Sequence, residues 1–179
     1  MIETERLYLR KWKMSDAQQV YNLSKEPEIG YNSGWKPHKD VAESRFVLEY
    51  ILMNKNNWAI VEKESDCVVG SFSYIPLGES PVVNELNEIE IGYWMGKPYW
   101  NKGYTTEVCK RMIRYAFEEM GMKTIWIQHN ITNLRSKRVQ EKCGFKYHHT
   151  KERQYYIVLD EYRTNIVNYM TKQMWEEKR

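Results

Sequence analysis

The spacing of apolar residues changes several times along the chain, and each change predicts a new element. Apolar runs at residues 58–61 and 67–74 are typical of strands, and the polar segment 64–66 between them suits a hairpin turn. After a polar loop, residues 89–94 show the same strand pattern. The middle of the chain is therefore predicted to contribute three strands to a sheet.

The N-terminal part combines a short strand with helices. Apolar positions at residues 7–9 indicate an opening strand, and polar residues 15–16 suit the cap of a helix that runs to about residue 23. Residues 27–37 are rich in glycine, asparagine and proline and predict a loop. A second helical pattern begins at Asp40.

The clearest helix begins at Gly103 or Tyr104 and ends at about Met120. Its apolar residues recur at every fourth position: Val108, Met112, Ala116 and Met120. Gly121 is suited to end the helix, and residues 124–128 predict the next strand. A strand, a helix of this length and another strand predict a right-handed parallel crossover.

The C-terminal part predicts one more helix and a hairpin. Asn133 could cap a helix that ends at Gly144, and residues 145–148 predict a strand. Residues 154–170 predict a long hairpin that turns near Asp160.

Together these elements predict an α/β protein in which helices and strands are mixed. We expect a single domain over residues 1–179. Its central twisted sheet should be mixed but mostly antiparallel, with about seven strands flanked by about four helices.

Composition narrows the class of protein. With 42% hydrophobic and 28% charged residues, the chain is a folded protein rather than a disordered one. It has no apolar run near ~20 residues and no signal-like N-terminus, so we expect a cytoplasmic protein without a membrane partner. The net charge of +3 does not favour nucleic acid as a partner.

Cysteine and histidine patterns predict no metal site. The cysteines number three and show no C-x-x-C spacing. Only His148 and His149 are adjacent among the histidines, and successive strand residues face opposite sides of a sheet. We therefore expect no metal ligands here.

The segment from residue 93 to residue 107 carries the most chemical information. It joins a predicted strand to the N-terminus of the best helix, where backbone N–H groups and the helix dipole favour an anion. Gly103 would let the backbone approach a phosphate, and Lys102 adds a positive charge. The segment has neither the G-x-G-x-x-G nor the P-loop pattern, which disfavours a nucleotide site of either kind.

Three motifs together resemble the GNAT N-acetyltransferases, specifically the RimJ/RimL-like branch. Tyr93-Trp94 followed by residues 99–107 is similar to the coenzyme A pyrophosphate loop of that branch. Residues 133–136 with residues 141–145 resemble its N-x-x-S…K-x-G-F signature, and residues 3–10 resemble its first strand. The likeness extends over nearly the whole chain. Asn101 stands where that branch usually has glycine, and Thr105 replaces a small residue.

The resemblance implies a GNAT-like fold that uses acetyl-CoA as co-substrate, without a metal. It implies that the pantetheine arm pairs with backbone at residues 93–95 and that main-chain N–H groups at residues 100–105 hold the pyrophosphate. Asn133 would contact the pantetheine, and Ser136 would lie near the sulfur. The implied coenzyme A contacts are Tyr93, Trp94, Met95, Trp100, Asn101, Lys102, Gly103, Tyr104, Thr105, Asn133 and Ser136.

Acetyl transfer to an amine needs a group that removes a proton and a group that neutralises the departing thiolate. Glu90 lies between Ile89 and Ile91 and faces away from both, so it is the candidate base; a solvent-facing strand glutamate is the alternative, and Glu88 is the reserve. Ser136 is the candidate acid. The alternative is that Ser136 is an ordinary polar residue of the first helical turn, with its backbone N–H capped by Asn133. Other candidate acids are Tyr147, Tyr155 and Tyr156.

The sequence thus predicts an enzyme that transfers acetyl from acetyl-CoA to a primary amine, on a protein N-terminus or a small molecule. The transfer would be a direct attack assisted by a general base. Glutamates at positions 79, 85, 88 and 90 favour a cationic acceptor. The alternative is a non-catalytic acyl-CoA sensor, suggested by Asn101 and Thr105. The identity of the amine stays open, as does the oligomeric state, with a homodimer as one alternative.

Overall fold

The computed structural model describes residues 1–178 and builds the strands into one sheet. The strands are β1 (Ile2–Glu3), β2 (Leu7–Arg10), β3 (Asn57–Glu62), β4 (Val68–Ile75), β5 (Glu88–Met95), β6 (Thr124–Asn130), β7 (Lys146–Tyr156) and β8 (Glu161–Thr171). Within this described range the sheet has eight strands in the order β1-β2-β3-β4-β5-β6-β8-β7.

The sheet is mixed and mostly antiparallel, as the sequence predicted. Neighbouring strands run antiparallel from β1 to β4, and again where β6 meets β8 and β8 meets β7. β5 and β6 pair in parallel, which confirms that the connection between them is a parallel crossover. Their ladder ends at the pair Glu90–Trp126, whereas β5 continues to Met95 and β6 to Asn130. Glu90 therefore lies at the last paired position.

Residues 1–178 contain six α-helices rather than about four, and eight strands rather than about seven. The helices are α1 (Ala17–Ser24), α2 (Pro27–Ser33), α3 (Val41–Val47), α4 (Tyr104–Glu118), α5 (Leu134–Cys143) and α6 (Lys172–Glu176). A π-helical turn continues α3 at Leu48–Leu52, and short 3-10 turns lie at Met14–Asp16 and Lys97–Tyr99.

The predicted loop at residues 27–37 was wrong over its first half, which forms α2. Pro27 occupies the first helical turn, where its missing N–H costs no hydrogen bond, and Gly34 ends the helix with φ +91°. The residues that suggested a loop therefore mark the two ends of a short helix.

The described chain divides into two compact units, each built from two segments. Unit 1 consists of residues 1–73 and 93–105, and unit 2 consists of residues 74–92 and the chain from residue 106 onward. The single domain predicted from length stays a prediction.

Each unit has its own apolar core. In unit 1 the core joins α1, the π-helical turn after α3, β3 and β4, and its members include Val20, Leu48, Val61 and Val68. In unit 2 the residues on the predicted face of α4 are almost fully buried: Val108, Cys109, Met112, Ile113, Ala116 and Phe117. A second cluster in unit 2 consists of Val82, Val83, Trp126 and Val167.

The two adjacent histidines do not face opposite sides of the sheet, so that expectation was wrong. The register of β7 against β8 shifts between Tyr147 and His149, and the extra residue places His148 Nδ1 2.7 Å from His149 Nδ1. Within residues 1–178, histidine, cysteine, aspartate and glutamate side chains form no cluster of three or more that could hold a metal ion.

None of the helices described for residues 1–178 has both the length and the apolar character that crossing a membrane requires.

Candidate functional site

The end of β5 and the turn after it carry the first group of predicted site residues, all in unit 1. Tyr93 and Trp94 are half-buried and Met95 is buried. The Trp94 ring stacks on Trp12 at 6.5 Å between centroids and meets the edge of Trp35 at 6.2 Å. These rings form an aromatic cluster, so the Trp94 side chain has a packing role, which leaves a ligand role to the backbone.

The turn from residue 96 to residue 103 is closed by side chains on backbone carbonyls. Trp100 Nε1 donates to the carbonyl of Met95 at 2.7 Å. Arg6 Nη1 donates to the carbonyl of Lys102 at 2.9 Å, and its guanidinium lies 4.7 Å from the centre of the Tyr104 ring. The carbonyl groups at both ends of the turn, those of Met95 and Lys102, therefore accept hydrogen bonds from side chains of unit 1.

Tyr104 and Glu62 fasten the start of α4 to β3. The Tyr104 hydroxyl donates to Glu62 Oε1 at 2.6 Å, and Lys102 Nζ lies 3.9 Å from the same oxygen. The hydroxyl of Tyr104 is the main reason that the pKa of Glu62 falls below its usual value. The N-terminus of α4 therefore has a fixed position in unit 1.

The N–H groups of this turn fit an anionic group such as a diphosphate. No backbone carbonyl of residues 1–178 accepts from the N–H of Asn101, Lys102 or Gly103. Asn101 and Gly103 have φ of +64° and +81°, a geometry in which successive N–H groups can turn toward one anion. The first turn of the 15-residue helix α4, with half-buried Thr105, adds N–H groups that lack helical partners.

Glu90, in unit 2, is a buried carboxyl held by two donors. Its exposed fraction is 6%, which excludes the alternative of a solvent-facing strand glutamate. Ser80 Oγ donates to Oε2 at 2.6 Å, and Gln128 Nε2 donates to Oε1 at 2.8 Å. Burial raises the pKa of Glu90 above its usual value, and the two hydrogen bonds and the charge of Lys151 act in the opposite direction.

Asn133 and Ser136 open helix α5 as the sequence predicted. Asn133 Oδ1 accepts from the backbone N–H of Ser136 at 3.1 Å and so caps the helix. Gln140, one turn later, donates from Nε2 to Ser136 Oγ at 3.2 Å. The Ser136 hydroxyl is therefore oriented by a residue of its own helix.

Gln128 and Gln140 connect the candidate base with the candidate acid. Gln140 Nε2 also donates to the carbonyl of Gln128 at 3.3 Å, and Gln128 holds Glu90 through its side chain. Gln140 is 1% exposed, and its Oε1 accepts from Asn168 Nδ2 at 2.6 Å. His129 Nδ1 lies 3.1 Å from the same oxygen, and burial lowers the pKa of that imidazole. Unit 2 thus brings Glu90 and Ser136 into one hydrogen-bonded network, which passes through the side chain and the backbone carbonyl of Gln128.

The remaining candidates have other surroundings. Glu88, the reserve base, accepts from the backbone N–H of Asn84 at 3.1 Å. Tyr147 and Tyr155 are more than half exposed, and the Tyr156 hydroxyl accepts from Asn165 Nδ2 at 2.6 Å.

Sequence reasoning missed Ser80, Gln128 and Gln140. Gln140 follows Ser136 by four positions on a predicted helix, and that spacing was a signal for contact. Ser80 lies in a predicted loop and Gln128 on another strand, and nothing in the spacing of either residue points to Glu90.

Comparison with known proteins identifies the family. The acetyltransferase (GNAT) domain matches residues 6–146 of the chain. This chain therefore belongs to the GNAT family of acetyltransferases, as the motifs predicted.

Relatives of known sequence agree with this assignment. Protein p20 of Bacillus licheniformis, named an uncharacterized N-acetyltransferase, is 28% identical over 148 residues, which cover 80% of this chain and 80% of p20. YdaF of Bacillus subtilis, provisionally named a ribosomal N-acetyltransferase, is 41% identical over 56 residues, or 31% of each chain. The local match to YdaF supports the RimJ/RimL-like branch that the motifs indicate.

Solved structures share the fold. A GNAT-family acetyltransferase from Bacillus anthracis superposes with a TM-score of 0.84 at 21% identity, over 96% of this chain and 98% of that one. Spermidine N-acetyltransferase from Vibrio cholerae, solved with CoA and spermine, superposes with a TM-score of 0.75 at 16% identity, again over 96% and 98%.

Proposed function

We propose that this protein transfers the acetyl group of acetyl-CoA to a primary amine by direct attack, with Glu90 as the general base. The observation that carries this proposal is the environment of Glu90, a buried carboxyl with two hydrogen-bond donors and a raised pKa. Desolvation makes such a carboxylate a better proton acceptor than an exposed one.

In this proposal the turn of unit 1 binds the co-substrate. N–H groups at residues 101–105 hold the diphosphate of acetyl-CoA, and backbone at residues 93–95 pairs with the pantetheine arm. The expected contribution of the Trp100 N–H is dropped, because that group donates to the carbonyl of Lys97 at 3.2 Å. The N–H groups of Asn101, Lys102 and Gly103 lack backbone acceptors and support this role. Acetyl-CoA, when bound, supplies the thioester that reacts.

Glu90 accepts a proton from the substrate ammonium, directly or through a water molecule, and this leaves a neutral amine that can attack. The neutral nitrogen then forms a bond to the acetyl carbon while the bond from that carbon to sulfur breaks. The second proton that the nitrogen loses neutralises the departing thiolate, which leaves as free coenzyme A. Ser136 hydrogen-bonds the departing sulfur, and Asn133 contacts the pantetheine. Gln140 supports this assignment because it fixes the position of Ser136 Oγ.

We infer that the acceptor is a cationic amine. Glu79 and Glu85 are exposed on the loop between β4 and β5, and Glu88 is half-exposed where β5 begins. Their charges attract a cation before it reaches Glu90. The names of two similar proteins describe a ribosomal and a spermidine acetyltransferase, so protein N-termini and polyamines are the first acceptors to test.

The test is thiol release from acetyl-CoA across a panel of amines: N-terminal peptides, free amino acids, polyamines and amine-containing drugs. We expect turnover with at least one cationic primary amine, and none with its N-acetylated form. No turnover with any amine, together with no binding of acetyl-CoA by calorimetry, would refute the proposed function.

A further inference from the structure

The loop between β4 and β5 is attached directly to the carboxyl of Glu90. Ser80 lies in this loop, ten residues before Glu90, and donates its hydroxyl to Glu90 Oε2 at 2.6 Å. Because the bond runs from a hydroxyl to a carboxyl that is 6% exposed, water competes with it poorly. The bond therefore links the loop to the carboxyl itself.

Ser80 also organises the loop around its own oxygen. Ser80 Oγ accepts from the backbone N–H groups of Val82 at 3.1 Å and Val83 at 3.2 Å, and the backbone N–H of Ser80 donates to the carbonyl of Pro76 at 3.1 Å. With two N–H donors on its oxygen, the hydroxyl proton is directed at Glu90. The N–H groups of Val82 and Val83 also polarise the hydroxyl of Ser80 and so strengthen its hydrogen bond to Glu90.

The segment after Ser80 is packed in place. Val82 and Val83 are each 5% exposed and belong to the cluster with Trp126 and Val167. Lys151 Nζ, from β7, donates to the carbonyl of Pro81 at 2.8 Å. Ser80 is consequently fixed from both sides, while Leu77, Gly78 and Glu79, which precede it in the loop, are exposed.

We propose that Ser80 is a positioning residue for the reaction: its hydroxyl holds the Glu90 carboxylate in one orientation and couples that carboxylate to the loop of residues 76–87. This inference rests on the proposed role of Glu90 as base. Ser80 donates to Oε2 of Glu90 and Gln128 donates to Oε1, so together they fix the plane of the carboxylate. The remaining lone pairs of the two oxygens are then aimed in defined directions.

The coupling has a consequence for the pH dependence. The charged or hydrogen-bonding groups that act on Glu90 are Ser80, Gln128 and Lys151, and each lowers its pKa against the effect of burial. Removing the Ser80 hydroxyl therefore raises the pKa of Glu90 further, and the carboxylate form is reached only at higher pH.

The experiment compares Ser80→Ala, Ser80→Cys and Ser80→Thr with the wild type, over a range of pH. For Ser80→Ala we expect the acidic limb of the kcat/KM profile to move up by about one pH unit. At pH values on this limb kcat/KM should be about tenfold lower than in the wild type, and at pH values above the limb it should be nearly equal to the wild-type value. Ser80→Cys, a weak donor of similar shape, should shift the limb part of the way, and Ser80→Thr should restore it. Acetyl-CoA affinity should not change.

The matched control is Ser44→Ala, which removes a buried hydroxyl bonded to His38 in unit 1. Its pH profile should superimpose on that of the wild type even if its stability is lower. A Ser80→Ala profile that also superimposes on the wild type would overturn the inference, as would an equal effect of Ser80→Ala when Glu90 is already glutamine.

A second arm separates this inference from the proposed function. The pH dependence of urea unfolding does not need an active enzyme, and Ser80→Ala should change it in the wild type but not in the Glu90→Gln variant. If no amine is acetylated but this coupling is found, the proposed function fails and the link between Ser80 and Glu90 stands. If acetylation depends on Glu90 but no coupling is found, only the role of Ser80 fails.

Discussion

A carboxyl group inside an apolar sheet is stable only if its protonation state and its partners suit the site. Glu90 lies between Ile89 and Ile91, which are buried on the other face of β5. Ser80 and Gln128 each supply one donor, and a carboxylate accepts hydrogen bonds but donates none. The site therefore accommodates the anion, while burial still favours the protonated form.

The raised pKa of Glu90 predicts how stability changes with pH. Because the folded protein holds this proton more tightly than the unfolded chain, the free energy of unfolding falls as pH rises from the unfolded to the folded pKa. Glu90→Gln removes the titration, so the variant should gain stability relative to the wild type as pH rises from about 4 to neutral. The gain is about 1.4 kcal/mol for each unit of pKa shift.

Urea unfolding at a series of pH values measures this difference. Glu85→Gln, at an exposed position of the loop before β5, is the control, and its free energy of unfolding should depend on pH as that of the wild type does. If the difference in free energy of unfolding between Glu90→Gln and the wild type were constant across the pH range, the raised pKa of Glu90 would be contradicted.

Residue-level prediction succeeded where strand alternation was informative and failed where contact depends on the fold. The alternation of Ile89, Glu90 and Ile91 placed Glu90 on the other face from its apolar neighbours. Gln128 lies 38 positions after Glu90 in the sequence. The two side chains meet only because β5 and β6 are neighbours in the sheet. No local pattern encodes a contact of that separation.

At the scale of elements, caps and periodicity predicted α1, α3, α4 and α5, and of the helices described for residues 1–178 they missed α2 and α6. Helix α4 has a repeating apolar face over four turns, which is why its position was evident. Helix α2 buries only Ile29 and Gly30, so its seven residues show no period. Helix α6 is a single turn that Thr171 caps, and β1 has two residues.

The turn before α4 provides the element-scale prediction. Gly103 has φ +81°, and Gly103→Ala should lower the free energy of unfolding by about 1 kcal/mol because an alanine is strained there. If this turn binds the diphosphate, the same change should weaken acetyl-CoA about tenfold, the cost of roughly one charge-assisted hydrogen bond. Calorimetric titration and urea unfolding measure the two effects.

Gly121 is the matched control at the other end of the helix. It has φ +70°, and a methyl group added there would meet no atom within 4 Å beyond its chain neighbours, so Gly121→Ala carries the same backbone strain. We expect a similar loss of stability with unchanged acetyl-CoA affinity. Equal affinity of the two variants would show that the turn at Gly103 does not bind the co-substrate.

At the scale of the whole molecule, the order of elements determined the fold class. Hairpins before and after one parallel crossover produce a mixed sheet, and this much followed from the periods of apolar residues. Strand order beyond the hairpins did not follow, because β8 inserts between β6 and β7. The division into two compact units, each from two chain segments, has no marker in composition.

The central claim is that Glu90 acts as the base of an acetyl transfer, and one comparison tests it directly. Thiol release by the wild type and by Glu90→Gln is measured with the best amine of the panel, with acetyl-CoA affinity measured on the same samples. We predict that the variant loses kcat by about 100-fold or more while its acetyl-CoA affinity stays within about twofold. A variant that keeps the wild-type rate, or a wild type that binds acetyl-CoA but transfers acetyl to no amine, would contradict it.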